Sequence, residues 1–191
     1  MGNIIYPFPL PVYQGFIVEK SFNIIKEDTY NFISQNIELF ESIWDCPTKT
    51  TQHLPKHKNI KNTHLETQIK SNVENYFKVW DFNKSYNLKI SEVWVNIAKK
   101  GEYQEEHHHG KSLFSGVLYI NVNELSGNFN ITNPLSSEGI LMDFPDNLSN
   151  KYIIPPQNGM IILFPGWLRH SASPNNSDKD RISISFNIDR I

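Results

Sequence analysis

Three histidines stand in a row, His107, His108 and His109, in a chain of 191 residues that has only seven. In an extended segment, side chains at i and i+2 leave the backbone on the same side. His107 and His109 can therefore converge while His108 faces away, and two imidazoles on one side are half of a metal site. A third candidate, His170, follows the apolar run Met160 to Phe164 and the turn residues Pro165 and Gly166. Imidazole suits Fe, Zn, Cu and Ni, and three ligands on one side of a metal leave positions open for substrate or oxygen. The competing readings are a chance polar run in an exposed loop and a satisfied interior histidine. Arg181 is the other chemical clue. The last strand-like segment puts Arg181, Ser183, Ser185 and Asn187 on one face and Ile182, Ile184, Phe186 and Ile188 on the other. Only the apolar face is built for packing, so an arginine heading the polar face calls for an anion. That anion is either a ligand carboxylate, held bidentately with help from Ser183, or an Asp or Glu of the protein.

The elements that must position these groups change character halfway along the chain. Tyr30, Ile33, Ile37, Phe40 and Trp44 recur at steps of three and four, which predicts a buried helix stripe ended by Pro47. The polar stretch from Thr48 to Asn62, broken by Pro55, reads as an exposed loop. A second helix presents Leu65, Ile69, Val73, Phe77 and Trp80 on one side, with Thr63 and Glu66 as a capping box. From Leu88 the period becomes two. Strands are expected at Ile90–Ala98, Leu113–Val122, Asn128–Thr132, Gly139–Phe144, Met160–Phe164 and Arg181–Ile188. Short strands in that number predict a sandwich or barrel, with the helices packed on its outer face. The expected organisation is one domain over 1–191, in which 1–88 form a helical part and 89–191 the β core.

Composition narrows the class of function. Eighteen basic against twenty acidic residues give a formal charge of -2, which argues against nucleic-acid binding driven by net charge. A single cysteine, Cys46, excludes an internal disulfide framework and Cys-based metal cages, and fits a reducing cytoplasm. It leaves imidazole, with the carboxylates of Glu105 and Glu106 as further candidates, for metal ligation. Cys46 itself reads as an inert helix-end residue. The opening Met1-Gly2-Asn3-Ile4-Ile5-Tyr6 lacks the form of a signal peptide, and Tyr6 stands where N-myristoylation wants Ser or Thr. No run approaches the roughly 20 apolar residues that cross a bilayer, so no membrane partner is expected.

Taken together, Trp94-Val95-Asn96, Gly101, His107-x-His109, Ser115-Gly116-x-x-Tyr119, Leu163-Phe164-Pro165, His170 and Arg181-Ile182-Ser183-Ile184-Ser185-Phe186-Asn187 resemble the 2-oxoglutarate-Fe(II) oxygenase family, in its prolyl-hydroxylase-like subgroup. The resemblance spans about Ser91 to Ile191. It implies a mainly β fold with flanking helices, the double-stranded β-helix, a cupin-like jelly roll. It also implies a dioxygenase using Fe(II) as cofactor and 2-oxoglutarate as cosubstrate, which hydroxylates a small molecule or peptidyl residue as 2-oxoglutarate becomes succinate. On that reading His107, His109 and His170 are the metal ligands, with His109 where the wider superfamily has a carboxylate. Arg181 and Ser183 take the distal carboxylate of 2-oxoglutarate, and Tyr119 is a further donor from a neighbouring strand. Asn96 orients the cosubstrate or a ligand histidine, or serves as a structural hydrogen-bonding residue. The other readings are a cupin-type metal protein that does not use 2-oxoglutarate, for which Leu113 and Phe114 stand where a glutamate is expected, and an inactive β-sandwich that recognises a partner.

Overall fold

The computed structural model describes residues 10–79, 87–134 and 150–191. In chain order they form β1 (Tyr13–Phe16), α1 (Glu19–Asn36), β2 (Lys49–Thr50), α2 (Thr63–Val79), β3 (Leu88–Ala98), β4 (Gln104–His107), β5 (Phe114–Asn121), β6 (Phe129–Thr132), β7 (Lys151–Ile154), β8 (Met160–Pro165), β9 (His170–Ala172) and β10 (Arg181–Arg190). Single 3-10 turns lie at Ile37–Leu39 and Lys56–Lys58. The strands make two antiparallel sheets, a six-stranded one in the order β1-β8-β5-β10-β3-β2 and a four-stranded one in the order β4-β9-β6-β7. This is a jelly roll with two helices.

Side-chain parity divides the molecule into layers. On one face of the large sheet, Val95, Ile97, Leu118, Ile120, Ile161, Leu163, Ile182, Ile184 and Phe186 pack with Ile25 of α1 and with Leu65, Ile69, Val73 and Tyr76 of α2. On the other face, Val117, Tyr119, Met160, Ile162 and Phe164 meet Phe129, Ile131 and Ile154 of the small sheet. The central strands are thus buried on both faces, and β8 is buried along its whole length. Even the polar side of β10 is interior. Asn187 there donates to the Glu92 carboxylate at 2.6 Å and accepts from Ser115 Oγ at 2.8 Å, so it braces β3, β5 and β10.

Several elements differ from expectation. The first helix starts at Glu19 and ends at Asn36, buries Ile25 and Thr29, and leaves Tyr30 and Ile37 exposed. The stripe read from Tyr30 to Trp44 ran past the true end of the helix, and Val18 at the start offers no side-chain cap to mark it. The segment from Thr48 to Asn62 is an exposed loop only in part: His53 and Pro55 to Lys58 are exposed as expected, while side chains toward both ends are interior. Thr48, Thr50, Thr51, Asn59, Ile60 and Asn62 are buried. Among them Thr51, braced by Asn59, satisfies the edge of β3 in place of water, since Thr51 Oγ1 accepts from Val95 N at 3.0 Å and Asn59 Nδ2 donates to Thr51 O at 2.8 Å. Strands β1, β2, β4, β7 and β9 are too short for a period to show. The expected strand at Gly139–Phe144, the helix residue Trp80 and the opening residues Met1 to Tyr6 lie outside the described residues.

The cap of α2 is also one residue earlier than expected. Asn62 Oδ1 accepts from Leu65 N at 2.7 Å, and Thr63 is already helical. Replacing Asn62 with Ala should cost about 1–2 kcal/mol of stability in urea unfolding, through loss of the cap and of its bond to Asp28. Thr63→Ala should stay within about 0.5 kcal/mol.

Candidate active site

The three histidines meet because two short strands pair at their ends. His107 closes β4, His170 opens β9, and the two are direct partners across the antiparallel pair. Opposed residues project to the same face, so their rings lie 4.3 Å apart, centre to centre. His109 comes two residues later, just past the strand, and is fixed by its backbone: its N–H donates to Gly166 O at 2.6 Å. That close approach needs a glycine, since a Cβ at Gly166 would fall 2.1 Å from Ser112 O and 2.8 Å from His109 O. The His109 ring then lies 5.1 Å from that of His107 and 5.3 Å from that of His170. One nitrogen from each ring falls within 4.8 Å of the others, the only such group with a metal-binding composition among the described residues.

The second nitrogens are already committed. His107 Nδ1 lies 2.8 Å from Glu105 O, and His170 Nδ1 lies 2.9 Å from Leu168 O. A carbonyl can only accept, so both rings carry their proton on Nδ1 and keep a lone pair on Nε2 for a metal. Burial, the largest effect on each, pulls all three below the ordinary histidine range, His109 to about 4 and His170 well below the usual value. Neutral imidazole is the form that binds metals. His108 is exposed, and its Nδ1 accepts from Gly110 N. Glu106 pairs with Arg169 at 3.0 Å and accepts from Thr132, while the Glu105 carboxylate accepts from Gln104. Neither carboxylate joins the histidine group.

A cleft opens from the histidines between the sheets. Across its large-sheet wall runs a polar row, Asn96 on β3, Ser183 on β10 and Tyr119 on β5, which are direct neighbours in register. Arg181 lies two residues along β10, on the same face. It is 5 % exposed, and among the described residues it forms no ion pair. Its Nη1 donates to Ser126 O at 2.8 Å and Ser173 O at 2.6 Å. Gly127 makes that cradle possible. It sits at φ 77°, and a Cβ there would meet the Ser173 and Pro174 carbonyls at 2.4 and 2.5 Å and Arg181 Nη1 at 2.9 Å. Burial disfavours the Arg181 charge, and the Tyr119 hydroxyl, pushed up by its own burial, is held back by that charge. Asn96 Nδ2 donates to Ser185 Oγ at 2.9 Å, while its buried Oδ1 has no partner.

Sequence reasoning missed part of this lining. Trp44 was placed in a helix stripe, yet it stands in a loop with its ring stacked on His107, and Thr48 joins it in the wall. Phe129 and Phe164 flank His170. Gly127 carried only a turn signal. Trp94 lines the cleft beside His109, whereas the exposed Tyr103 and Trp167 do not line it.

Residues 92–187 match the family described as Putative 2OG-Fe(II) oxygenase. No curated relative matches the sequence. Among solved structures, the chain is similar to a prolyl-4-hydroxylase from Pseudomonas putida, with 12% identity, TM-score 0.65, and 95% of this chain and 94% of that one covered. It is also similar to a prolyl hydroxylase from Trichoplax adhaerens in complex with a hypoxia inducible factor peptide, with 12% identity, TM-score 0.64 and coverage of 94% and 82%. HygX from Streptomyces hygroscopicus, with nickel, 2-oxoglutarate and hygromycin B bound, aligns at 12% identity, TM-score 0.57 and coverage of 93% and 81%. These likenesses establish the jelly-roll fold.

Cys46 is not at a helix end. It lies buried in the bend that carries Trp44, where burial and the neighbouring Glu105 carboxylate raise its thiol to about 11. At pH 8 the folded protein should therefore resist iodoacetamide, and adding guanidinium should expose one rapidly alkylated thiol, counted by mass spectrometry.

Proposed function

The chain belongs to the Putative 2OG-Fe(II) oxygenase family and is an Fe(II)- and 2-oxoglutarate-dependent oxygenase; within that activity we propose that it is a hydroxylase whose metal ligands are His107, His109 and His170 and whose cosubstrate anchor is Arg181. One observation carries this reading: a buried guanidinium with no ion-pair partner among the described residues faces the same cleft as three converging, neutral imidazoles. A buried charge is stable only when paired, so the cleft is built for an anion.

The residues present fit both groups. His107 and His170 offer Nε2 with their tautomers fixed by backbone carbonyls, and His109 offers a neutral ring. Arg181, kept in place through Nη1, presents its remaining N–H groups to a carboxylate, with Ser183 and Tyr119 as neighbouring hydroxyls. Asn96, opposite Ser183 in the polar row, offers an unpaired Oδ1 to a donor. Bound Fe(II) would let O2 act as the oxidant: one of its oxygen atoms would end in succinate as 2-oxoglutarate loses CO2, and the other would enter a substrate C–H bond. The protein positions substrate and cosubstrate and keeps water out with Val117, Phe129 and Phe164.

Among the described residues the cleft lining contains no carboxylate, and its one cation is the arginine assigned to 2-oxoglutarate. We therefore assign the substrate an uncharged reacting portion, as in a peptidyl residue or a neutral small molecule. Such a group would lie against Trp44, Trp94, Thr48 and Gln104. The whole chain acts as one domain in this reading, in the cytoplasm.

Under anaerobic conditions the protein should take up one Fe(II), and 2-oxoglutarate should then give the weak visible band of its metal chelate. Absence of 2-oxoglutarate binding to the metal-loaded protein would sink the assignment. Arg181→Ala should weaken 2-oxoglutarate binding roughly 10- to 100-fold, the loss of a charge-assisted pair, while metal uptake stays near normal. Replacing His107, His109 or His170 with Ala should abolish metal uptake, and His108→Ala should not.

A further inference from the structure

Between α1 and α2 the chain makes a closed loop. Glu41 N donates to Thr50 O at 3.2 Å and Thr50 N to Glu41 O at 2.8 Å, which ties the ends of a ten-residue segment together, as in an Ω-loop. Its far end, Lys49 and Thr50, is β2 and pairs with Ile97 and Asn96 of β3 at the edge of the large sheet. Its middle reaches the other sheet. Trp44 stacks on His107, with ring centres 6.3 Å apart and 23° between planes. The Cys46 thiol sits against Glu105. Thr48 Oγ1 donates to Tyr103 O at 2.6 Å. The three contacts fall at alternate residues and run in opposite directions along the two segments, as side chains do across an antiparallel pair. The strand they cover, β4, is the open edge of the small sheet.

The loop thus bridges the edges of both sheets, and two of its side chains, Trp44 and Thr48, line the cleft. Its contacts converge on one ligand. Glu105 supplies the carbonyl that holds His107 Nδ1, Cys46 packs on Glu105, and Trp44 packs on the His107 ring. His170 is enclosed by Phe129 and Phe164, whereas for His107 the loop is the flanking wall. We propose that the loop from Glu41 to Thr50 is part of the metal centre, with Trp44 as the positioning residue for His107. This rests on the assignment of His107 as a ligand. The loop lies outside residues 92–187, so the site is completed by the helical half of the chain. Without Trp44 the His107 ring loses its outer support, and metal affinity falls with it.

Titration of the full-length protein with Co(II), followed by its visible d–d bands, tests the proposal. Trp44→Ala should bind Co(II) about tenfold more weakly or worse, the usual effect of removing a group that orients a ligand, with an altered band pattern. Trp44→Phe should restore most of the affinity and the wild-type spectrum. Thr48→Val, which keeps the side-chain volume and removes the bond to Tyr103 O, should shift affinity in the same direction. It decides the matter if Trp44→Ala does not fold. A folded Trp44→Ala with wild-type affinity and spectrum would overturn the proposal, as would wild-type behaviour of Thr48→Val where Trp44→Ala is unfolded. The assignment beneath it fails in a different way: His107→Ala would then bind Co(II) as tightly as the unaltered protein.

Discussion

The organisation of this molecule depends on the alternation of one strand, β10. It lies inside the large sheet between β3 and β5, so neither of its faces can reach solvent broadly. Its isoleucines and Phe186 bind the helical layer to the sheet, and the residues between them, Arg181, Ser183 and Ser185, all point into the cleft. A slip of one residue would exchange these sets, turning a guanidinium toward the apolar layer that holds Ile25 and Ile69. Burial of the apolar set, on the order of 1.5–3 kcal/mol per fully buried side chain, therefore also fixes where the cation stands.

The small sheet has the complementary task and far less apolar surface with which to accomplish it. Its strands are three or four residues long, and the His107–His170 pairing lies at the meeting of β4 and β9. Order there comes from outside the ladder. Gly166 approaches His109, the Leu168 and Glu105 carbonyls hold two rings, Phe129 and Phe164 enclose His170, and the loop carrying Trp44 covers β4. Short strands held by side chains and loops can bring one nitrogen from each of three imidazoles within 4.8 Å of the others while leaving one side of the group open to the cleft.

This division explains what could be read from the residues alone. The HxH spacing, the later His170 and the arginine on a terminal amphipathic strand are local patterns, and strand parity converts them into a shared direction. The long strands β3, β5, β8 and β10 were legible for the same reason, each having enough residues to show a period. Trp44 was not, because its steps of three and four from Ile37 and Phe40 imitate a helix that ends at Asn36. The buried ends of the stretch from Thr48 to Asn62 were not, because polar residues that satisfy interior partners have the same composition as the solvated middle of the loop, His53 to Lys58. Gly127 matters only through carbonyls that the fold brings from Ser173 and Pro174, some fifty residues away in the chain. Information of that kind exists only after the tertiary structure has formed.

Charge accounting links the histidine in place of a carboxylate to the rest of the cleft. On the proposed ligand set, three neutral imidazoles would leave the two positive charges of a divalent ion uncompensated, and Arg181 adds a third in the same cleft. Among the described residues the lining provides no acidic side chain against them. In a medium of low dielectric that excess is costly unless an anion enters with the metal. A dicarboxylate that approaches the metal with one end and the guanidinium with the other removes two of the three charges at once. A carboxylate ligand in place of His109 would have met part of that demand in advance. With imidazole there, the proposed site would have a stronger claim on its cosubstrate, and a cationic substrate would meet repulsion with no compensating carboxylate among the described lining residues. The same electrostatic condition thus favours binding of 2-oxoglutarate and works against a cationic group beside it.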